Sequence, residues 1–237
     1  MTNYDVFGKF YDAIMGDRAK ATKRLREFMH KENPKAQNVL ELGCGTGSVL
    51  KHLTKHYEVW GVDLSGTMLS IAKKKVAQAR LSRQDMVRFR LPRRFDVICC
   101  VFDSINHVLG FADWKKLFAN VWRHLSEKGV FIFDINTQKK LDRHIAEPPW
   151  VHQFGNNLLI MEITAVGRRA SNWNIKVFER TQAKRYLLHE ENIQEASFPM
   201  HKIDSALRIH FRHVKIIDTD RRRPSAESER LYFVCKK

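Results

Sequence analysis

The chain has no apolar run approaching the ~18 residues of a membrane span, and polar residues interrupt every apolar cluster at its start, "MTNYDVFGKFYDAIMGD". A protein of the cytoplasm, with no membrane partner, is expected. It is also short of cysteine in any organised pattern. Cys99 and Cys100 are adjacent in an apolar run, Cys44 sits in a glycine loop and Cys235 is near the end. That excludes a disulfide framework and the CxxC or Cys/His spacing of a zinc site, and no metal is expected. Acidic residues are few beside basic ones, 26 against 42 in 237 residues, for a formal charge of +16. Divided after Thr137 the excess is +9 and +7, so no detachable basic tail carries it. Such a charge attracts anions, whether nucleic acid or an acidic small molecule. There are no internal repeats and no low-complexity segment.

What is present is an alternation. "NVLEL" (38–42) reads as a strand, 46–56 as a helix, "YEVWGVDLS" as a second strand and 66–79 as a second helix. A weak strand passes through "RLSRQDM". "FDVICCVFDS" is apolar on both faces, as a central parallel strand should be. Asp113 offers an N-cap to a helix over 114–126 whose Trp114, Leu117, Phe118, Val121 and Leu125 follow the helical repeat. "GVFIFDINT" is the fifth strand. Strands alternating with helices through short loops predict a doubly wound, mostly parallel α/β sheet of Rossmann type.

After Lys140 the texture becomes antiparallel: two strands within 156–181, a third through "RYLLHEENIQEASF", then a short helix near 200–209 and two last strands, "HVKIIDTD" and "RLYFVCKK". Three segments are expected. Residues 1–137 form an N-terminal cap and nucleoside-binding core, 138–199 an antiparallel insertion after the fifth strand that forms part of a substrate pocket, and 200–237 complete a seven-stranded sheet.

In open α/β sheets ligands bind at the carboxyl ends of the strands, where the loop "LGCGTGS" lies. A phosphate-binding P-loop would need GxxxxGK[ST], and the Lys is missing. A dinucleotide site wants GxGxxG, but Ser48 stands where the third glycine would be. Other strand ends decide. Asp63, twenty residues after Gly43, can accept both hydroxyls of a ribose, and Asp85 can accept from an exocyclic adenine amine. Together they describe a nucleoside site without a pyrophosphate cradle.

That combination resembles the class I S-adenosylmethionine-dependent methyltransferases. "VLELGCGTG", "GVDLSGTML", "RQDM" and "FDVICCVFDSINHV" look like the first four motifs of that superfamily and "KGVFIFDINT" like its fifth strand. Within it the chain is similar to the small-molecule group that includes aminosugar N,N-dimethyltransferases, also at "YDVFGKFYDAIMGD" and "SERLYFVCKK". The resemblance implies S-adenosylmethionine as cofactor and S-adenosylhomocysteine as product. Gly43, Cys44 and Gly45 would border the methionine part and Asp63 would hold the ribose. Leu64 and Met68 would flank the adenine, with Asp85 and Met86 on its edge. Phe102 and Asp103 would close the methyl-donor side, and Tyr4 and Tyr11 would cap the pocket. Arg80 and Arg83 crowd the third strand more than the pattern usually has, and His210 replaces a glycine common before the sixth.

Methyl transfer from a sulfonium needs no metal but does need an unprotonated nucleophile. His107 is the best-placed base, Asn106 a candidate for positioning substrate, and Tyr11 a third catalytic candidate. The chain has "DSIN" where nucleobase amino-methyltransferases carry [DNS]PP[YFW], and no Pro-Cys pair as cytosine C5 enzymes have. A small-molecule acceptor, methylated on nitrogen or oxygen, is therefore expected, its wall drawn from Trp150, Arg180, Tyr186 and His189. Two alternatives stand beside it: an RNA methyltransferase using the basic surface, and a non-catalytic protein that binds the cofactor. The chain is expected to act as a monomer or homodimer.

Overall fold

A computed structural model describes residues 4–182 and 185–237. A 3-10 turn (Phe7–Lys9) leads into α1 (Tyr11–Met15) and α2 (Ala19–Glu32). The core then alternates β1 (Asn38–Leu42), α3 (Ser48–Leu53), β2 (Glu58–Asp63), α4 (Gly66–Lys75), β3 (Arg80–Arg83), β4 (Phe95–Cys100), α5 (Phe111–His124) and β5 (Leu125–Asn136). There follow α6 (Gln138–Ala146) and the antiparallel strands β6 (Trp150–Phe154), β7 (Asn157–Val166), β8 (Ala170–Arg180) and β9 (Tyr186–Ala196). Last come α7 (Met200–Leu207), β10 (His213–Asp218) and β11 (Arg230–Lys236).

The seven-stranded sheet runs β10-β11-β5-β4-β1-β2-β3, and the chain winds outward from β1 first to one side and then to the other. β11 is antiparallel to both its neighbours, so its first residue lies at the edge where the parallel strands end. Strand alternation sorts the core into two faces. Leu40, Leu42, Ile98, Cys100, Phe131 and Phe133 pack with Trp114, Leu117, Phe118 and Val121 of α5 and with α7. Val39, Val97, Cys99, Val130 and Ile132 pack with Leu25 and Met29 of α2 and with α3. Each fully buried aliphatic or aromatic side chain contributes about 1.5–3 kcal/mol. Across the antiparallel pair, Phe133 and Phe233 stand opposite in register and stack at 4.8 Å.

The doubly wound sheet and its five leading strands lie where the periodicity places them, with corrected ends. The helices expected over 46–56 and 66–79 shrink to Ser48–Leu53 and Gly66–Lys75. Asp113 does not cap α5. The helix begins three residues earlier behind Gly110, and Asp113 sits in its first turn, accepting from Lys116 at 2.8 Å and favouring the helix dipole. Two elements carry little sequence signal. α6 is highly polar, with Leu141 as its buried residue and Thr137 as its cap. β6 makes the insertion four-stranded and has no fully buried residue. The inner face of that second sheet buries Leu159, Met161, Ile175, Val177 and Ile193 against Phe7 and Phe10, so the N-terminal segment bridges core and insertion. No helix among the described residues is long and apolar enough to cross a membrane.

At Gly61, in the middle of β2, an added Cβ would lie 2.7 Å from Cys44 Sγ and 2.9 Å from both Leu50 Cδ1 and Leu81 Cδ2. Gly61→Ala is expected to cost about 1–3 kcal/mol by overpacking. Urea unfolding checks this; a loss below about 0.5 kcal/mol, the usual range for surface changes, would mean the strand has room.

Candidate functional site

β1 ends into a loop that turns with Gly43 at φ +70°, and an added Cβ there would stand 2.8 Å from Ser104 Cβ. The loop after β4 therefore touches the loop after β1, which leaves no space for a side chain at this point. The Gly43 and Cys44 N–H groups both donate to Val62 O, at 2.8 and 3.0 Å. Asp63, ending β2, then accepts from Gly45 N at Oδ2 (2.7 Å) and from Ser65 N at Oδ1 (2.9 Å). Ser65 in turn caps α4 through Met68 N. Burial pushes the Asp63 carboxyl up, against the pull of these N–H groups.

Between these turns opens a cavity of about 480 Å³, the size of small-molecule sites, which run from about 300 to 1,000 Å³. Of the candidates named from sequence, Tyr4, Tyr11, Gly43, Gly45, Asp63, Leu64, Met68, Asp85, Met86, Phe102 and His107 all line it. Asp85 accepts from Val87 N at 2.8 Å. Three candidates are absent from its walls. Cys44 is buried beneath the loop, facing Gly61. Asn106 is fully buried, donating to Asn136 O and Ala196 O at 2.9 Å and accepting from Asn136 N, so it joins the core to the insertion. Asp103 turns to Arg230 instead. Arg83 supports the rim, donating to Leu64 O at 3.0 Å, whereas Arg80 lies by Glu58 and Trp60.

Tyr4 and Tyr11 cover the cavity from the N-terminal segment, edge to face at 5.9 Å. His107 Nδ1 lies 3.1 Å from Gln194 O and Nε2 lies 3.1 Å from the Tyr4 hydroxyl. A carbonyl only accepts, so Nδ1 carries the hydrogen and Nε2 accepts from Tyr4. Burial lowers the His107 pKa, with the Gln194 carbonyl, Asp103 and Asp63 opposing. The imidazole is thus held neutral, with its lone pair toward Tyr4. The N-terminal segment is latched at two further points. The Asp5 and Phe7 N–H groups donate to the Glu191 carboxylate. Asp12 receives Lys75 Nζ and Thr46 Oγ1, each at 2.6 Å.

β4 leads into two consecutive non-glycine residues in the left-handed region, Phe102 at φ +58° and Asp103 at φ +55°. Each costs on the order of 1–3 kcal/mol unless its surroundings hold it. Asp103 Oδ1 accepts from Arg230 at 2.6 Å, and Arg230 also bonds Asp134 and Asn136 Oδ1. Burial pushes Asp103 up, but Arg230 together with Lys140 and His107 outweighs it and the carboxyl is lowered on balance. Burial raises Asp134 to about 6, against Arg230 and the Phe102 N–H. Glu195 is pushed well up by burial and then by Asp103. Asp103, His107 and Glu195 bring one potential metal ligand each within 4.8 Å of one another. Within the fold, both imidazole nitrogens and Asp103 Oδ1 already hydrogen-bond, to Gln194 O, the Tyr4 hydroxyl and Arg230.

Sequence reasoning missed Arg230, Glu195 and the Asp12–Lys75 latch, whose partners lie far apart in the chain. It also passed over Glu41, a buried acid in the apolar run of β1 whose Oε2 has no partner among the described residues and whose carboxyl burial raises well. Of the expected insertion wall, Trp150 borders a second cavity, of about 460 Å³, with Met15, Trp173 and Met161. Arg180 and Tyr186 pair opposite each other at the end of the β8–β9 hairpin, and His189 bonds Glu179 at 2.8 Å.

Residues 39–129 match the family model described as "Methyltransferase domain". The structure is similar to that of a S-adenosylmethionine-dependent methyltransferase from Clostridium acetobutylicum, with a TM-score of 0.86 and 28% identity over 98% of both chains. Streptomyces venezuelae DesVI shares the fold, with a TM-score of 0.81 and 22% identity over 98% of this chain and 96% of its own. In sequence, the dTDP-3-amino-3,6-dideoxy-alpha-D-glucopyranose N,N-dimethyltransferase of Streptomyces fradiae is 33% identical over 131 residues. That match spans 53% of this chain and 51% of the relative. These relatives lend no support to an RNA acceptor or to cofactor binding without catalysis.

His107 yields a stability prediction. Its folded pKa is lowered from 6.5, so below pH 6.5 the unfolded chain takes up the proton first and acid costs stability. Urea unfolding at pH 7 and pH 5 should show His107→Gln losing less stability on acidification than the parent; equal losses would refute a neutral buried imidazole.

Proposed function

We propose that this protein, a class I methyltransferase in domain and fold, transfers a methyl group from S-adenosylmethionine to the amine nitrogen of a small molecule. The observation that carries this reading is the neutral His107–Tyr4 pair at the wall of a nucleoside-sized cavity that Asp63 and Asp85 also line. An aminosugar N,N-dimethyltransferase among the relatives supports nitrogen as the acceptor atom.

The cavity fits the cofactor. The Gly43 loop lets backbone approach a ligand, each Asp63 oxygen takes one N–H and keeps acceptor capacity for a ribose hydroxyl, and Met68, Leu64 and Met86 offer apolar walls for a base. When bound, S-adenosylmethionine supplies a methyl group already activated by a positively charged sulfur. The protein supplies alignment, an effect that can reach roughly 7–11 kcal/mol, and a route for the proton. The acceptor nitrogen gives its proton to the Tyr4 oxygen while the Tyr4 hydroxyl proton moves to His107 Nε2. The resulting imidazolium is favoured by the charges of Asp103 and Asp63. Tyr11 and Met15 are four apart on α1, so one helix face meets both cavities, and the second, with Trp150 and Trp173, offers an apolar seat for the body of the acceptor.

Calorimetry with S-adenosylmethionine should show binding that Asp63→Ala weakens about 10- to 100-fold, the worth of hydrogen bonds to a charged group; unchanged affinity would remove the ribose assignment. A labelled-methyl assay offering pooled small amines and bulk RNA should label the amines. In that assay His107→Ala should slow transfer about 10²- to 10⁴-fold, with Tyr4→Phe also impaired. Label in RNA alone would replace the small-molecule reading, and full activity of His107→Ala would remove the base.

A further inference from the structure

Because β11 runs against the other strands, its first residue, Arg230, reaches the edge where β4 and β5 end. It stands opposite Asn136 in register, and its guanidinium bridges Asp103, Asp134 and Asn136. Those groups surround the one stretch of non-glycine backbone, among the described residues, with positive φ at two residues in succession, Phe102 and Asp103. Phe102 lines the cofactor cavity, and Arg18 lies over its ring at 4.4 Å.

We propose that Arg230 is a positioning residue: by clamping Asp103 and Asp134 it holds the Phe102–Asp103 turn in its left-handed shape and so fixes the wall that Phe102 presents to the cofactor. This rests on the cofactor reading above. Asp103 anchors the second residue of the turn through its side chain, and the Phe102 N–H interacts with Asp134. Arginine suits the task because its planar fork can meet acceptors on β5 and on the loop after β4 at once, whereas a lysine ammonium is a single point. The guanidinium also balances charge where carboxyl groups are crowded, with Asp103, Asp134 and Glu195 on one side and Lys140 nearby on the other.

The test is a double-mutant cycle on S-adenosylhomocysteine binding, read by calorimetry on the full chain, with melting curves to confirm folding. The parent should bind. Arg230→Lys should weaken binding tenfold or more without lowering the binding stoichiometry. Phe102→Gly removes the ring and the backbone strain at that residue, since glycine adopts this conformation freely. Adding Arg230→Lys to it should therefore change affinity less than threefold. Asp103→Asn, which retains a residue tolerant of the left-handed region, should show the same pattern and serves if Arg230→Lys fails to fold. An unaltered affinity in the folded single variant, or the full loss repeated on the Phe102→Gly background, overturns the clamp. A parent that binds neither S-adenosylmethionine nor its demethylated product overturns the cofactor reading itself, and the clamp with it.

Discussion

A single carboxylate holds the cavity's floor in shape. Asp63 joins Gly45 N–H to Ser65 N–H, tying the loop after β1 to the start of α4. A buried carboxylate is costly unless hydrogen bonds satisfy it, and these two backbone donors favour its charged form against burial. The same bonds fix the spacing between the two loops, so the carboxylate proposed to meet a ribose also shapes the space beside it. Nothing in this joint requires a long side chain, which is why glycine and short polar residues dominate the loops around it.

The cover is as dependent on distant partners as the floor is on local ones. The segment from Tyr4 to Met15 has too few residues to form a core of its own. It is held by the insertion through Glu191, by the glycine loop and α4 through Asp12, Thr46 and Lys75, and by Ser65 through Asp5. Its Phe7 and Phe10 are buried in the insertion's apolar face while Tyr4 and Tyr11 meet the cavity. Cavity and insertion are thus parts of one packed unit, and movement of the insertion would be felt at the cover.

The chain's charge is distributed unevenly between outside and inside. The +16 excess is largely exposed, where pairs such as Lys139–Glu227 and Arg208–Asp204 are solvated and contribute little. Within the fold the balance reverses. Glu41, Asp134 and Glu195 are buried, and Arg230 carries the cationic share at the carboxyl edge. Net charge therefore describes the surface and not the site.

The doubly wound arrangement and the strand-end residues Gly43, Gly45, Asp63 and Asp85 were legible in the chain, because each belongs to a short contiguous pattern whose period and turn chemistry are set within a few residues; Phe102 came from the family resemblance. The sequence by itself could not show that Cys44 faces inward, that Asn106 joins the core to the insertion, or that α6 and β6 exist, since these depend on what packs against them. Tertiary structure alone decided the pairing of Tyr4 with His107, 103 residues apart, and of Arg230 with Asp103, 127 apart. The physical reason is that a hydrogen bond leaves a local mark only when both partners lie on the same turn or strand. Between elements, its existence is fixed by how the sheet orders and orients them, and here by the one strand that runs backward.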